Sequence, residues 1–410
     1  MVLIRYGSRS AVRIEPAAGA DAEQPTVPQG KPLSDVRAAL NSVLDEPLDY
    51  PSLKLSTTPG DKIVLAPDKH LPQTPEITAA IVEVLVRAGV SPDGISILCP
   101  NKEHNSDFCD PRRLLDLELR RRLALLFHNP DDRRQLAYLA ADQTGAPIFI
   151  NRALHEADVI LPVACLRDED AVGYFGIHGS IYPTFSDTAT MRRFRGLNQL
   201  GRNRAAHRKL TALADHVAWL LGLNFTIQFV PGAGDEVMHV LAGQSDAVRR
   251  RGRELYHAAW DWPLKRRAEL VVACLEGGPG RQTWEDFSQA LAVAQAAVEE
   301  GGAMVVCCAL SGRLGPAMQQ LAAAGSRRET LHQLDSRRPV DALPAGQLAH
   351  TLAHHKVYLL SELESGVVED LEMIPLKGPE ELSKLVQQYH SCLFLACAPF
   401  VKIVDSSSTA

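Results

Sequence analysis

Short apolar runs alternate with helix-patterned segments from Lys62 onward, and this alternation constrains the fold more than any other feature. KIVLAP, ISILCP and DVILPVA are typical of buried strands. The spacing predicts a helix over Thr74–Ala88, with Thr74 as its N-cap and Gly89 just past its end. It predicts another over Asp110–His128, and LAYLAA and PIFIN as further strands. Alternation of this kind predicts parallel strands joined by crossover helices.

A second series of the same kind begins at Glu269. ELVVACLEGG is a predicted strand, Trp284–Glu300 a predicted helix, and AMVVCCAL, VYLLSEL and CLFLACAP are predicted strands. The stretch Asp261–Lys265 contains a proline and separates the two series as a predicted hinge. A chain of 410 residues is too long for one ordinary core. The predicted fold class is therefore α/β, with two α/β domains of mostly parallel sheets, an N-terminal one over 1–265 and a C-terminal one over 266–410.

Composition excludes several classes of protein. The net charge of −6 argues against a dedicated nucleic-acid binder, which usually carries a basic surplus. No apolar run approaches the ~20 residues that span a bilayer, and the first residues alternate like a strand instead of forming a signal peptide. The eight cysteines show no C-x-x-C pair, so we expect free thiols and a cytoplasmic protein.

Polar residues follow two neighbouring predicted strands. Asp68 comes directly after KIVLAP, and His104 follows ISILCP by a few residues. The carboxyl ends of parallel strands meet at one edge of a sheet, where open α/β proteins place their sites. His104 can therefore act as a general base, with Asp68 orienting it or binding hydroxyl groups of a ligand. The alternative is an ordinary strand-end aspartate and an exposed histidine in a polar loop.

The loop that follows the strand DVILPVA combines acids, aromatics, glycines and a histidine between Val163 and Asp187. Its acidic run 168–170 predicts a carboxylate base, a cation site or a solvated turn. The segment Gly176–Ser180 has backbone N–H groups that can cradle an anion, and His178 within it either contacts a ligand or fills a turn. Loops of this composition beside a sheet edge favour function.

Several common sites are missing from the sequence. It has no G-x-S-x-G elbow, no phosphate loop ending in Gly-Lys-Ser/Thr and no complete G-x-G-x-x-G, so serine hydrolases, P-loop NTPases and standard dinucleotide enzymes are unsupported. His350 and His354 have i, i+4 spacing but no nearby carboxylate, which favours a surface face over a metal site. No metal ligand is predicted.

The order and the amino-acid sequences of these segments resemble those of the lactate racemase family, which uses a nickel-pincer nucleotide. The resemblance runs from LIRYG through KIVLAPDKHLPQTPEITAAIVEVLVRAGV, ISILCPNKEH, APIFINRALHEADVILPV and VGYFG to ELVVACLEGG and ALSGRLG. It implies two α/β domains with a ligand cleft between them, and an isomerase that inverts 2-hydroxy acids. In that family a hydride moves to the cofactor ring while a histidine takes the hydroxyl proton, a lysine tethers the cofactor and a further histidine binds nickel.

Carried over residue by residue, the resemblance is uneven. It implies a first catalytic histidine at His104, and it matches Asp68 to the aspartate of a motif whose arginine is Leu71 here. Glu169 takes the place of the second catalytic histidine, and Gly179 that of the tethering lysine. The family's substrate-contacting lysine falls on Gln289. No lysine occurs between positions 102 and 209, and no histidine between 178 and 207.

The residues and the resemblance together predict a racemase or epimerase of a 2-hydroxy acid or sugar acid, in which any pincer nucleotide is held non-covalently. The alternative is a different enzyme or a small-acid-binding protein without nickel chemistry. The expected partner is a small-molecule carboxylate, with no nucleic acid, no membrane and a homo-oligomeric state left open. The predicted catalytic residues are His104, Glu169 and His178, and the predicted ligand-binding residues are Asp68, Gly176, Gly179, Ser180 and Gln289.

Overall fold

The structure is a computed structural model that describes residues 1–100, 110–200, 204–325 and 327–405. Its strands are β1 (Val2–Tyr6), β2 (Ser10–Ile14), β3 (Asp21–Glu23), β4 (Ile63–Pro67), β5 (Ile95–Cys99), β6 (Ala124–Phe127), β7 (Leu136–Ala141), β8 (Pro147–Asn151), β9 (Val159–Cys165), β10 (Phe225–Pro231), β11 (Val237–Gln244), β12 (Asp261–Leu264), β13 (Ala268–Cys274), β14 (Val298–Cys307), β15 (Lys356–Leu360), β16 (Ile374–Pro375), β17 (Ser391–Leu395) and β18 (Lys402–Asp405).

Its helices are α1 (Val36–Asp45), α2 (Thr74–Arg87), α3 (Leu117–Arg122), α4 (Arg152–His155), α5 (Thr188–Arg193), α6 (Arg204–Leu220), α7 (Ser245–Trp260), α8 (Trp284–Ala297), α9 (Pro316–Ala322), α10 (Arg327–Arg337), α11 (Ala342–Leu352), α12 (Ser365–Asp370) and α13 (Pro379–Val386). Across the described ranges, no helix combines the length and the apolar character that crossing a membrane requires.

The first sheet has six strands in the order β11-β10-β9-β4-β5-β6, parallel except for the β10–β11 hairpin. Successive side chains of β4 point to opposite faces, so Ile63 and Leu65 pack with α1 and α2 while Val64 and Ala66 pack on the side of α6. Both faces are covered, which explains why this strand reads as a continuous apolar run.

The second sheet is parallel throughout, in the order β16-β15-β14-β13-β17-β3. Val271 and Ala273 of β13 face α8 and α11, whereas Leu270 and Val272 face the β1–β2 hairpin and α13. The predicted α/β class with mostly parallel sheets is confirmed. Strand β3, near the start of the chain, belongs to this second sheet, because it pairs with β17.

Three local predictions differ from the structure. In the segment predicted as one helix from Asp110 to His128, only α3 is helical, and β6 follows it as an edge strand paired with β5. The free edge of the sheet offers backbone partners that override helix propensity. LAYLAA and PIFIN form an antiparallel pair of their own outside the series. Asp261–Leu264 is a strand that pairs with β18.

One apolar cluster contains residues from both halves of the chain. Tyr256 and Trp260 on α7 are fully buried with Phe400 from the second half of the chain. The Tyr256 hydroxyl donates to the Phe400 carbonyl oxygen at 2.7 Å, and the Trp260 indole N–H donates to Pro231 O at 2.9 Å. Gly252 lets α7 pack closely against Leu166, because a Cβ at position 252 would lie 2.5 Å from Leu166 Cδ1. The core thus fixes the contact between the two halves.

Candidate functional site

Strand order reverses at one point in each sheet. In the first sheet the chain runs outward from β4 through β5 to β6 and then returns to the other side of β4 with β9. In the second it runs from β13 through β14, β15 and β16, then returns beside β13 with β17. Such a topological switch point leaves a crevice at the carboxyl ends of the two strands, where open α/β sheets bind ligands.

The two switch points meet. Arg281, which follows β13, donates from Nη2 to the sulfur of Cys165 at the end of β9, at 3.9 Å. Arg167, which follows β9, reaches Asp286 in the first turn of α8. We call the residues that follow β4, β9, β13 and β17, together with the first turns of α8, the junction site.

A buried ion pair joins the two halves of the junction site. Arg167 Nη2 lies 3.2 Å from Asp286 Oδ1, and the two side chains are 7% and 1% exposed. Asp286 is held in turn by Thr283, the N-cap of α8: its Oδ2 accepts from the Thr283 hydroxyl at 2.9 Å, and its N–H donates to the same hydroxyl. Burial opposes the charge of Arg167, but Asp286 and Asp68 outweigh it and raise the pKa of the guanidinium.

The segment after β4 faces this pair. Asp68 lies directly at the strand end, where its N–H donates to Val163 O at 2.8 Å, and Lys69 pairs with Glu285 at 2.8 Å. His70 is buried, and its Nδ1 lies 3.6 Å from Asp286 Oδ2 without a hydrogen-bond partner among the described residues. Burial, together with the nearby charge of Arg167, holds the pKa of His70 well below its ordinary value. His70 is therefore a neutral imidazole at physiological pH.

The loop between β9 and α5 contributes a second polar cluster. His178 is buried, and its Nδ1 lies 2.8 Å from Asp215 Oδ1 on α6. Arg249 on α7 holds both oxygens of Asp215, at 2.8 and 2.6 Å. Burial alone would raise the pKa of Asp215, but the bonds from His178 and Arg249 lower it to about 2. We call these three residues the His–Asp–Arg cluster.

The charge of Asp215 decides which nitrogen of His178 carries the proton. An ionised carboxylate can only accept, so the neutral ring donates from Nδ1 and leaves the lone pair on Nε2. Nε2 is buried and has no hydrogen-bond partner among the described residues. A carboxylate on Nδ1 and an unpartnered Nε2 are the features of a histidine that acts as a general base.

Tyr174 lies between the His–Asp–Arg cluster and the junction site. Burial is the main cause that raises the pKa of its hydroxyl. The positive charge of Arg249, a hydrogen bond from the Arg167 backbone and the negative charge of Asp68 also act on that hydroxyl. The two clusters are therefore neighbours in one polar region.

The remaining predicted site residues have structural contacts of their own. Glu169 is 58% exposed and lies 3.5 Å from Arg253. Gln289 is buried on α8, and its Oε1 accepts from the Val172 N–H at 2.7 Å, which ties the loop after β9 to the second half. His104 lies outside the described residues.

The glycine-rich turn folds onto itself. The Gly179 N–H donates to Gly176 O at 3.1 Å, and the Ser180 hydroxyl donates to Ile177 O at 3.3 Å. Gly176 has a positive φ of 74°, and a Cβ there would lie 3.2 Å from Thr211 Cγ2. These contacts hold the backbone that positions His178.

Sequence reasoning missed five of the residues that build this region. Arg167 and Asp286 form an ion pair although they are 119 positions apart, and no spacing in the sequence predicts this contact. Asp215 and Arg249 lie on amphipathic helices, where a polar residue is usually solvated. Arg281 follows a Gly-Gly-Pro-Gly turn directly after β13, and that turn was the one available signal.

The nickel-pincer nucleotide that the resemblance implies does not fit the residues of the loop after β9. The resemblance implies the tether at Gly179, which has no side chain, and a Cβ there would lie 3.2 Å from Gly176 O. Two lysines reach this region, but Lys69 pairs with Glu285 and Lys402 pairs with Asp168 at 2.6 Å. Within the described ranges, no group of three or more histidine, cysteine, aspartate or glutamate side chains is arranged to hold a metal ion.

Fold and site define an α/β protein with two parallel sheets whose switch points meet in a buried polar region. Residues 6–206 match the family model of the lactate racemase N-terminal domain, which confirms the resemblance seen in the sequence. The lactate racemase apoprotein from Thermoanaerobacterium thermosaccharolyticum superposes with a TM-score of 0.77 at 16% identity, over 98% of this chain and 100% of that one.

A structural-genomics protein from Thermotoga maritima superposes with a TM-score of 0.63 at 13% identity, over 92% of this chain and 99% of that one. At these identities the two structures show a shared fold. No curated protein sequence matches the chain.

Proposed function

We propose that this protein is an isomerase that inverts the carbon bearing the hydroxyl group of a 2-hydroxy acid or sugar acid. Two observations support the proposal. One is the family domain over residues 6–206. The other, which carries the proposal, is the His–Asp–Arg cluster, where a buried imidazole has a carboxylate on Nδ1 at 2.8 Å and an unpartnered Nε2 among the described residues.

In the proposed reaction His178 Nε2 takes the proton from C2 of the acid. The C–H bond breaks, its electron pair spreads into the adjacent carboxylate, and Asp215 stabilises the imidazolium that forms. Arg249 keeps Asp215 ionised and in place. A protonated group on the opposite face then returns a proton to C2, which inverts the centre. The sequence predicts His104 for that group.

The direct test is exchange and inversion in D₂O. The purified protein is incubated with single enantiomers of lactate, malate and gluconate, and deuterium at C2 is followed by NMR while chiral chromatography follows inversion. We expect one acid to show both, and His178→Ala to lower the rate by ~10²–10⁴-fold, the contribution of one acid/base group. The matched control is His332→Ala, since His332 is exposed on α10. An unchanged rate in the His178 variant would remove the cluster from the reaction.

A second candidate function is binding of a small acid without turnover. It is favoured by the loss of the tether position at Gly179 and by the ion pairs that occupy Lys69 and Lys402. Saturable thermal stabilisation by an acid that is neither inverted nor deuterated would establish this function. We further propose a cytoplasmic location, which is supported by the seven described cysteines, all of them free.

A further inference from the structure

A pair of histidines that the proposed function does not use lies at the end of α11. His350 is in the last turn of that helix, and His354 follows four positions later, in the turn just past the end of the helix. Both side chains are exposed. No other two of the 14 histidines of the chain have this spacing. The spacing alone favours a solvated surface face, so the structure has to supply any further argument.

The separation of the two imidazole rings is close to the separation that one shared metal ion requires. The ring centres of His350 and His354 are 5.5 Å apart, and the ring planes are inclined at 69°. Two imidazoles that bind one ion through metal–nitrogen bonds of about 2 Å have ring centres roughly 4.5–5.2 Å apart. Small rotations of two exposed side chains close that difference without movement of the backbone.

The backbone that carries His354 is held in place. The N–H groups of His354 and His355 both donate to Thr351 O, at 3.1 and 2.9 Å. The His355 ring donates from Nδ1 to Gly302 O on β14, at 3.1 Å. Because these bonds fix the turn before any ligand arrives, binding does not have to order it. The His355 ring centre lies 6.4 Å from that of His354, which is too far for a third ligand of the same ion.

The surroundings of the pair favour a cation. The last carbonyl groups of α11 carry the partial negative charge of a helix C-terminus. Among the described residues, the imidazole nitrogens of His350 and His354 have no hydrogen-bond or ion-pair partner. Both rings therefore have a nitrogen lone pair available to a ligand.

We propose that His350 and His354 form a two-histidine binding site for a first-row transition-metal dication of the zinc type, with water completing the coordination. Neutral imidazole is a preferred ligand of Zn²⁺, whereas Mg²⁺ prefers oxygen ligands. The pair precedes β15, whereas the junction site follows the ends of other strands. The binding is therefore independent of the proposed isomerase activity.

The test is calorimetric titration of Zn²⁺ into the full chain, after treatment with EDTA and dialysis into a buffer that does not chelate metals. We expect one ion to bind per chain, and His350→Ala and His354→Ala each to weaken the affinity by at least ~10-fold, because loss of even an outer-shell partner of a metal site costs that much. Mg²⁺ at the same concentration should give no binding signal. His332→Ala is the matched control, since His332 is an exposed histidine on α10 with no histidine four positions away, and it should bind Zn²⁺ like the wild type.

Because both side chains are exposed, the metal-free variants should melt at the temperature of the wild type, so a lost affinity cannot be attributed to unfolding. The wild type, in turn, should melt higher when Zn²⁺ is added. Absence of saturable Zn²⁺ binding to the wild type, or an unchanged affinity in either single variant, would overturn the proposal. Binding that survives in the double variant His350→Ala/His354→Ala would assign the ion to other groups of the chain and would overturn it as well.

Discussion

Breaking the buried pair between Arg167 and Asp286 by removing one partner should cost more stability than breaking any exposed ion pair among the described residues. At 3.2 Å and an effective dielectric constant of about 20, the attraction between the two charges is roughly 5 kcal/mol before desolvation is counted. Replacing Asp286 by Asn keeps the shape of the side chain but leaves Arg167 as an uncompensated buried charge. Such a loss costs about 3–5 kcal/mol.

We therefore expect Asp286→Asn to lower the free energy of unfolding by about 3 kcal/mol or more. The measurement is urea unfolding followed by both circular dichroism and tryptophan fluorescence, since coincident curves justify a two-state treatment. Asp370→Asn is the control: Asp370 is exposed on α12, and surface changes stay within about 0.5 kcal/mol.

The double variant Arg167→Met/Asp286→Leu separates the attraction between the two charges from the cost of burying one charge alone. Because it removes both charges, it should recover most of the stability that Asp286→Asn loses. A loss below about 1 kcal/mol in Asp286→Asn, or a double variant no more stable than the single one, would refute the argument that this pair is a coupled buried charge.

Three further predictions concern the same region. The pKa of His70 is depressed in the folded protein, so the unfolded chain takes up the proton first as pH falls below about 6.5. Below that pH the free energy of unfolding of the wild type should fall by up to about 1.4 kcal/mol per pH unit. His70→Gln should show a flatter pH dependence of stability in urea unfolding. The pKa of Asp215 drops from 3.8 to about 2, so its contribution of about 2 kcal/mol is present above pH 4 and lost as pH falls to 2; the stability gap between wild type and Asp215→Asn should accordingly be wider at pH 5 than at pH 3. Gly277 has a φ of 114°, so Gly277→Ala should lower the free energy of unfolding by about 1–3 kcal/mol, whereas Gly280→Ala, whose Cβ meets nothing within 4 Å, should leave the melting temperature unchanged.

The sequence was sufficient for the parts of the fold that local pattern determines. The strands β4, β9 and β13 are apolar runs buried on both faces, and such runs have few other structures open to them. The segment after Asp110 was predicted wrongly, because the free edge beside β5 recruited Ala124–Phe127 as a strand. Pairing with a distant neighbour leaves no mark in the local spacing.

The candidate site divides in the same way. Asp68 and His178 could be singled out, since one ends a strand and the other lies in a glycine-rich loop. The residues that these side chains contact could not be predicted from the sequence. Asp215 is 37 positions from His178, and Asp286 is 119 from Arg167. Only the packing of α6, α7 and α8 against the loop brings these residues together.

Because the two switch points lie next to each other, the polar groups of the site can be substituted independently of the strands. The polar groups of the junction site lie in the segments that follow β4, β9 and β13 and in the first turn of α8, outside the paired strands of both sheets. Substituting these groups changes the chemistry of the site and, as at Asp286, the stability, but it replaces no paired strand residue. The glycine at position 179 and the buried arginine at position 281 both lie outside the paired strands, so neither takes part in the sheets. Divergence of function within the fold therefore needs only a few residues at the strand ends.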